Sequence, residues 1–249
     1  MLTVLSPSKT IDFRSIVSVT DTSLPIFSPK ADALIEQLKL FTPEQIVERE
    51  QVSLKIAFAT REYIHTYKPE QPIGKPAVFA YNGNVYDKLQ AQTFSPAQQR
   101  FLQQHLRIFS ALYGVLRPMD LIQPYRLDMT SKLIEGLYAI WKDMVSREIA
   151  TLLADDDYVL INLASAEYFK LLDSKILPAQ THIITPVFKQ VRNGRYMVSS
   201  LYAKQARGLM TRFLIENQIT DPEHLQAFSE DGYFFSPELS NTTEWTFIR

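Results

Sequence analysis

The chain has 249 residues, of which 46% are hydrophobic and 12% aromatic, so it can bury a large core. Its formal net charge is −1 and it contains no cysteine, which excludes a disulfide scaffold, a thiolate metal site and thiol-based redox chemistry. The N-terminal residues show neither a basic leader nor a long apolar run, so we expect a cytoplasmic protein without a membrane segment. No repeat or linker divides the sequence, and we expect residues 1–249 to form one compact domain.

Strands are predicted from short apolar runs and from turn signals. The runs at 2–5 and 158–164 are typical of buried central strands, and small polar residues follow each of them. The Asn-Gly pairs at 82–83 and 193–194 each lie between alternating apolar and polar residues. This pattern predicts two hairpins, because a type I′ turn requires a positive φ at both central positions.

Helices are predicted at 28–41, 42–67 and 95–113. The last two begin with Thr or Ser followed by Pro, which indicates an N-cap with proline in the first helical position. Helices and strands therefore interleave. We predict an α+β (mixed α/β) fold, with a mixed sheet flanked by helices.

The segment at about 96–124 suggests a DNA-binding element. Its predicted helix runs to Gly114, and Pro118 is suited to begin a second helix. This outline resembles the helix-hairpin-helix motif, whose second helix binds a DNA phosphate without reading sequence. Prolines also fix the backbone around Arg117 and Arg126, so we expect both side chains to contact phosphate.

Charge is unevenly distributed along the chain. Residues 174–215 contain seven Lys or Arg and no Asp or Glu. Helical periodicity places Lys204, Arg207 and Arg212 opposite an apolar face, and we expect no acid on the helix to neutralise them. Phosphate is the expected counter-charge, the alternative being a solvated face without a partner. Gly208 lies on the same face, where it either admits a ligand backbone or lets another element pack closely.

Small polar residues follow both predicted central strands. Ser6, Ser8 and Lys9 come after the first strand, Asn162 lies within the second, and Ser165 is the expected N-cap after it. In open α/β sheets, ligands bind at the carboxyl ends of the strands. These residues therefore suggest a pocket for a nucleotide or a nucleobase, the alternative being ordinary capping and a core asparagine.

No metal or cofactor site is predicted. The four histidines are scattered, at positions 65, 105, 182 and 224, without ligand spacing. The sequence SPSKT at 6–10 ends like a phosphate-binding loop but lacks its glycines.

Five sequence blocks resemble a known family. They are LSPSKT at 5–10, SALYGVLRPMDLIQPYRLDM at 110–129, VLINLASAEYFK at 159–170, YAKQARGLMTRFLIEN at 202–217 and GYFF at 232–235. In this order they resemble the signature blocks of the YaaA family of bacterial peroxide-stress proteins. The resemblance implies a cytoplasmic protein that binds DNA through a positively charged cleft with a helix-hairpin-helix element. It also implies a role in limiting oxidative damage linked to intracellular iron.

Two functional hypotheses follow. The first is a DNA-binding protein, not an enzyme, that contacts the backbone of duplex or branched DNA without sequence specificity, with a monomer favoured. Its candidate contacts are Lys9, Arg117, Arg126, Lys170, Lys189, Lys204, Arg207 and Arg212. The second is an enzyme that acts on a nucleotide or on damaged nucleic acid in the predicted pocket. Convergence of the pocket residues and Arg207 on one enclosed site would favour the second hypothesis, and an open groove of cations the first.

Overall fold

The structure, a computed structural model, describes residues 1–17, 19, 21–69 and 73–249. Its strands are β1 (Leu2–Leu5), β2 (Thr10–Ile11), β3 (Lys75–Pro76), β4 (Tyr81–Asn82), β5 (Leu106–Ser110), β6 (Gly114–Leu116), β7 (Leu121–Ile122), β8 (Val159–Leu163), β9 (His182–Arg192), β10 (Arg195–Met197), β11 (Phe234–Phe235) and β12 (Glu244–Ile248). Its helices are α1 (Ser28–Leu38), α2 (Pro43–Glu50), α3 (Leu54–Thr66), α4 (Ala77–Ala80), α5 (Tyr86–Leu89), α6 (Pro96–His105), α7 (Leu137–Ala154), α8 (Ala166–Phe169) and α9 (Ser200–Glu216). Short 3₁₀ turns lie at Ala91–Thr93, Pro222–Ala227, Glu230–Gly232 and Pro237–Leu239.

A mixed sheet runs through the centre in the order β11-β12-β9-β8-β1-β5-β6, and β10 pairs with β9. The strands from β12 to β5 are parallel, and β11 and β6 add antiparallel edges. All four residues of β1 are buried between β5 and β8. Because β1 and β8 are parallel neighbours, their carboxyl ends meet at one edge. The predicted compact α+β domain with a mixed sheet and flanking helices is confirmed.

Capping chemistry sets several helix boundaries. Thr42 and Ser95 each accept a hydrogen bond from the amide three residues on, and the glutamine there bonds back to the cap amide. The segment 42–67 is nevertheless two helices, since Gln51 takes a left-handed conformation with φ of 52°. Ser53 then caps α3.

The helix-hairpin-helix prediction for residues 96–124 is wrong. Helix α6 ends at His105, and the chain passes directly into β5, which pairs with β1 on one side and β6 on the other. All five residues of β5 are buried, so pairing within the sheet outweighs the local helical pattern. Pro118 begins no helix, and the residues that follow it pair as β7 with β3.

Gly114 is required by the core instead of by a turn between helices. It has φ of +72°, and a Cβ there would lie 2.6 Å from the ring of Trp141. The indole Nε1 of Trp141 donates a hydrogen bond to the carbonyl of Ala111 at 2.8 Å. Any larger side chain at position 114 would displace this ring from beneath the β5–β6 hairpin.

One of the two predicted Asn-Gly hairpins is present. Around 193–194, β9 and β10 pair antiparallel, with φ of 52° at Asn193 and 70° at Gly194. The hairpin predicted around 82–83 is wrong, because the preceding residues 77–80 form the fully buried turn α4. Strand β4 pairs with β2 instead.

Helix α7 was not predicted from the sequence. Its buried face is formed by residues spaced four apart: Leu137, Trp141, Val145, Ile149 and Leu153. This spacing was the available signal. No helix within the described residues is both long enough and apolar enough to cross a bilayer.

Candidate functional site

A cleft of about 380 Å³ lies at the edge where β1 and β8 end. The segment 6–10 after β1 forms one wall, and the segment 83–86 forms another. Helix α8 contributes Glu167 and Tyr168, and α9 contributes Lys204 and Arg207. Chain segments far apart in sequence thus surround one space.

The serine residues after the two strands tie the strand ends together. Ser6 Oγ accepts a hydrogen bond from the backbone N–H of Ser165 at 2.8 Å and donates to Ser165 Oγ at 3.2 Å. Ser165 is the N-cap of α8, where it accepts from the N–H of Tyr168 at 3.4 Å. Ser8 Oγ donates to the carbonyl of Asn82. These hydroxyls line the cleft but already have protein partners.

Asn162 is a core residue that does not line the cleft. It is only 6% exposed. Its Nδ2 donates to Thr185 Oγ1 at 3.2 Å, and its Oδ1 accepts from the N–H of Ala164 at 3.1 Å. The other predicted pocket residues, Ser6, Ser8 and Ser165, do line the cleft together with Arg207.

Two carboxylates with opposite pKa shifts lie at the cleft. Glu167 Oε1 is buried and has no hydrogen-bond partner among the described residues. Burial, followed by the nearby charge of Asp128, raises the pKa of Glu167. Burial alone would also raise the pKa of Asp128, but hydrogen bonds from Lys9 and Thr130 outweigh it and hold this pKa below its usual value. Neighbouring carboxylates with pKa values pushed apart are typical of acid–base sites.

Lys9 is held by the Asp128 carboxylate. Its Nζ lies 2.5 Å from Asp128 Oδ2, although the Lys9 side chain is 62% exposed. The cleft therefore carries both signs of charge instead of being purely basic. Among the described residues, no group of three His, Asp or Glu side chains is arranged to hold a metal ion.

Arg207 brings a cation to the cleft without a carboxylate partner. It is half-buried, and burial lowers the pKa of its guanidinium. No salt bridge in the described part of the chain includes Arg207 or Lys204, which is exposed one helical turn earlier. A partly buried guanidinium lacking an anion is costly, so this wall favours an anionic ligand.

Gly208 is explained by close packing between helices. A Cβ at this position would lie 2.1 Å from the carbonyl oxygen of Val85 and 2.9 Å from the Cβ of Lys88. The glycine thus lets α9 approach α5 directly. Of the two sequence-based interpretations, close packing of another element is the one that the geometry supports.

Arg212 is engaged within the protein. Its Nη1 donates to Leu89 O at 3.3 Å and to Thr93 Oγ1 at 2.9 Å. Its Nη2 lies 2.5 Å from Glu216 Oε1, one turn along the helix. The expectation that no acid on the helix neutralises the cations is therefore wrong for Arg212.

Arg117 is likewise committed to the protein. Its Nε and Nη2 lie 3.1 and 3.0 Å from Oδ1 of Asp120, whose side chain is fully buried. Nη2 also donates to the carbonyl of Leu24 at 2.9 Å. The prolines around Arg117 thus position a structural ion pair that anchors the segment before α1.

The remaining candidate cations do not line the cleft, although Arg126 and Lys170 lie next to residues that do. Arg126 is half-buried and donates to the carbonyl of Lys9 at 3.4 Å. Lys170 is exposed at the end of α8, and its positive charge tends to lower the pKa of Glu167. Lys189 is half-buried on β9, paired in register with Ile248 of β12.

A comparison with protein families shows to which family this chain belongs. A family model described as peroxide stress protein YaaA matches residues 1–239. The chain belongs to the YaaA family of peroxide stress proteins. The resemblance seen in the five sequence blocks is therefore confirmed. Every residue that lines the cleft falls within the matched range, so the cleft is built from the YaaA region of the chain.

The sequence did not predict the role of Glu167, which lines the YaaA cleft, or of Asp128, whose charge acts on Glu167. Glu167 lies two positions beyond the predicted cap Ser165, and this proximity was a usable signal. Asp128 comes from a loop nearly forty residues earlier, and no spacing rule connects it to Glu167. Only the fold brings the two carboxylates together.

Proposed function

We propose that this YaaA family member acts in the peroxide stress response by binding DNA through phosphate contacts, without reading sequence. The observation that supports this most directly is on the β9–β10 hairpin. Arg192 and Arg195 are exposed Cα partners across the two strands, so two like charges face each other. Such a pair destabilises a hairpin unless an anion lies between the charges. A phosphate group is a suitable anion.

The proposed DNA surface combines this hairpin with the start of α9. Lys204 and Arg207 follow the hairpin closely in sequence, and no salt bridge among the described residues neutralises them. The exposed ring of Tyr196 lies on the hairpin, where it is available to stack against a base. Arg117 and Arg212 are not part of this proposal, because their guanidinium groups already bind protein carboxylates.

A salt series tests the proposal. Duplex and branched DNA are titrated with the wild type, an Arg192→Ala/Arg195→Ala variant and an Arg147→Ala control, whose arginine pairs with Asp143 on the exposed face of α7. The logarithm of the affinity should fall linearly with the logarithm of the salt concentration, with a slope of about 0.9 per phosphate neutralised. The double variant should lose up to about two units of slope, and the control none.

The result that would contradict the proposal is a folded double variant with wild-type affinity and slope. A similar loss on every DNA sequence is expected, since phosphate contacts carry no sequence information. The further role in limiting iron-linked damage is an expectation from the family, and protection would then come from occupying DNA.

A second candidate function is an enzyme that acts on a nucleotide or on damaged nucleic acid. The observation that favours it is the convergence of Lys9, Arg207 and the Glu167 carboxyl group on one cleft. A carboxyl group whose pKa is raised by burial holds its proton to a higher pH than usual, which suits it to act as a general acid. Mass spectrometry of nucleotides and damaged oligonucleotides after incubation tests this candidate. A product formed by the wild type but not by Glu167→Gln would support it, and unchanged substrates would count against it.

A further inference from the structure

The cleft has two chemically different regions. Lys204 and Arg207 on α9 and Glu167 on α8 all line it. No salt bridge among the described residues joins Glu167 to either cation, so the cationic wall and the carboxylate do not neutralise each other. A ligand that satisfies both must carry an anionic group at one position and a hydrogen-bond donor at another.

The surfaces of the cleft between these regions are apolar and aromatic. Tyr86, Leu127, Leu163 and Tyr168 are buried residues that line it. The hydroxyl of Tyr86 donates to the carbonyl of Ser6 at 2.8 Å, which fixes this ring in place. Rigid aromatic and aliphatic groups of this kind suit a flat ring better than a flexible chain.

We propose that the cleft is a binding site for one nucleoside monophosphate unit, with the phosphate on Lys204 and Arg207 and an N–H donor of the base on Glu167. The proposal rests on the cleft of the second candidate function and does not require catalysis. The cavity of about 380 Å³ lies within the range of small-ligand sites, roughly 300–1,000 Å³. Glu167 Oε1, which has no hydrogen-bond partner among the described residues, gains the donor that it lacks.

Simpler ligands match fewer of these features. Inorganic phosphate would satisfy Arg207 but leave the apolar surfaces and the Glu167 oxygen unused. A dicarboxylate would place a second negative charge beside Glu167, which is unfavourable. A nucleotide supplies an anion, a flat ring and an N–H donor in one molecule. The source is either a free nucleotide or an unpaired nucleotide within a strand.

Calorimetric titration tests the site directly. The probes are the four ribonucleoside 5′-monophosphates, ribose 5-phosphate and inorganic phosphate. The wild type should bind at least one nucleotide more tightly than either base-free compound. Arg207→Ala should lower the affinity for the nucleotide and for ribose 5-phosphate alike, by about tenfold or more, because both ligands lose a charge-assisted contact.

The carboxylate is tested by selectivity. Glu167→Ala should lower the affinity for the nucleotide by about tenfold or more and leave the affinity for ribose 5-phosphate unchanged, since only the nucleotide carries a base. The control Lys175→Ala removes an exposed cation outside the cleft and should leave all affinities within about twofold. If Arg207→Ala fails to fold, Arg207→Met keeps an unbranched apolar stem and removes the charge together with the N–H donors.

A competition experiment distinguishes the two sources. An oligonucleotide duplex with one unpaired nucleotide should displace the bound monophosphate if strands are the source, and a fully paired duplex should not. Displacement only by free nucleotides would identify those as the source. Equal affinity for inorganic phosphate and every nucleotide, or nucleotide binding unchanged in both cleft variants, would overturn the proposal. Arg192→Ala/Arg195→Ala tests DNA binding on the hairpin, so failure of either proposal is recognised separately.

Discussion

Replacing Gly208 by alanine sets two effects of opposite sign against each other. Within a helix, alanine is favoured over glycine by about 0.8–1 kcal/mol, so an open position would gain stability. The added Cβ, however, would lie 2.1 Å from the carbonyl oxygen of Val85. Helices α5 and α9 would have to separate by more than about 1 Å to restore an ordinary C···O distance of about 3.3 Å.

Overpacking of this kind typically costs about 1–3 kcal/mol, and contact with backbone instead of a flexible side chain favours the upper part of that range. After subtraction of the helix-propensity gain, we expect Gly208→Ala to lower the free energy of unfolding by about 1–2 kcal/mol. For a chain of this size that corresponds to a fall in Tm of roughly 2–8 °C.

Chemical and thermal denaturation followed by circular dichroism measure the effect. Lys204→Ala is the matched control on the same helix, because it removes an exposed side chain and should change stability by less than about 0.5 kcal/mol. A Gly208→Ala protein with a Tm above that of the wild type would refute close packing. It would mean that the glycine leaves room for something other than α5.

Three further predictions concern charge and chemistry. Arg212→Ala should destabilise the protein by about 1–3 kcal/mol in urea unfolding, because Glu216 and the Leu89 carbonyl lose their partner, and it should leave DNA affinity unchanged. Because the folded-state pKa of Glu167 is raised, its ionisation opposes folding as pH rises above its unfolded value. Glu167→Gln should therefore raise Tm at pH 7 but not at pH 4, and an equal gain at both would contradict the shift. The purified metal-free protein should leave hydrogen peroxide decaying at the buffer rate in a spectrophotometric assay, since it has no cysteine, and turnover proportional to protein concentration would contradict this.

The sequence was most informative where structure depends on neighbouring residues. N-caps followed by proline correctly placed the starts of α2 and α6, and the Asn-Gly pair at 193–194 correctly placed a hairpin. The apolar runs of β1 and β8 were recognised as central strands, and the helical periodicity of α9 was recognised as well. The caps and the Asn-Gly turn are set by backbone conformation or hydrogen bonding within a few positions. The apolar runs and the helical periodicity record which residues of a single element are buried, and so they also leave a local pattern.

The tertiary structure decided the strand assignments, ion pairs and cleft residues that no local sequence pattern indicates. Leu106–Ser110 follows a helix and continues its apolar pattern, yet pairing with β1 makes it a strand. The carboxylate partners of Arg117 and Arg212 lie within four positions in sequence, whereas Lys9 finds its partner, Asp128, only through the fold. The cleft likewise joins the ends of β1 and β8 to distant parts of the chain, including Leu127 and Arg207. An ion pair within one turn can be recognised from sequence spacing, whereas a pair between distant segments depends on how the sheet brings those segments together.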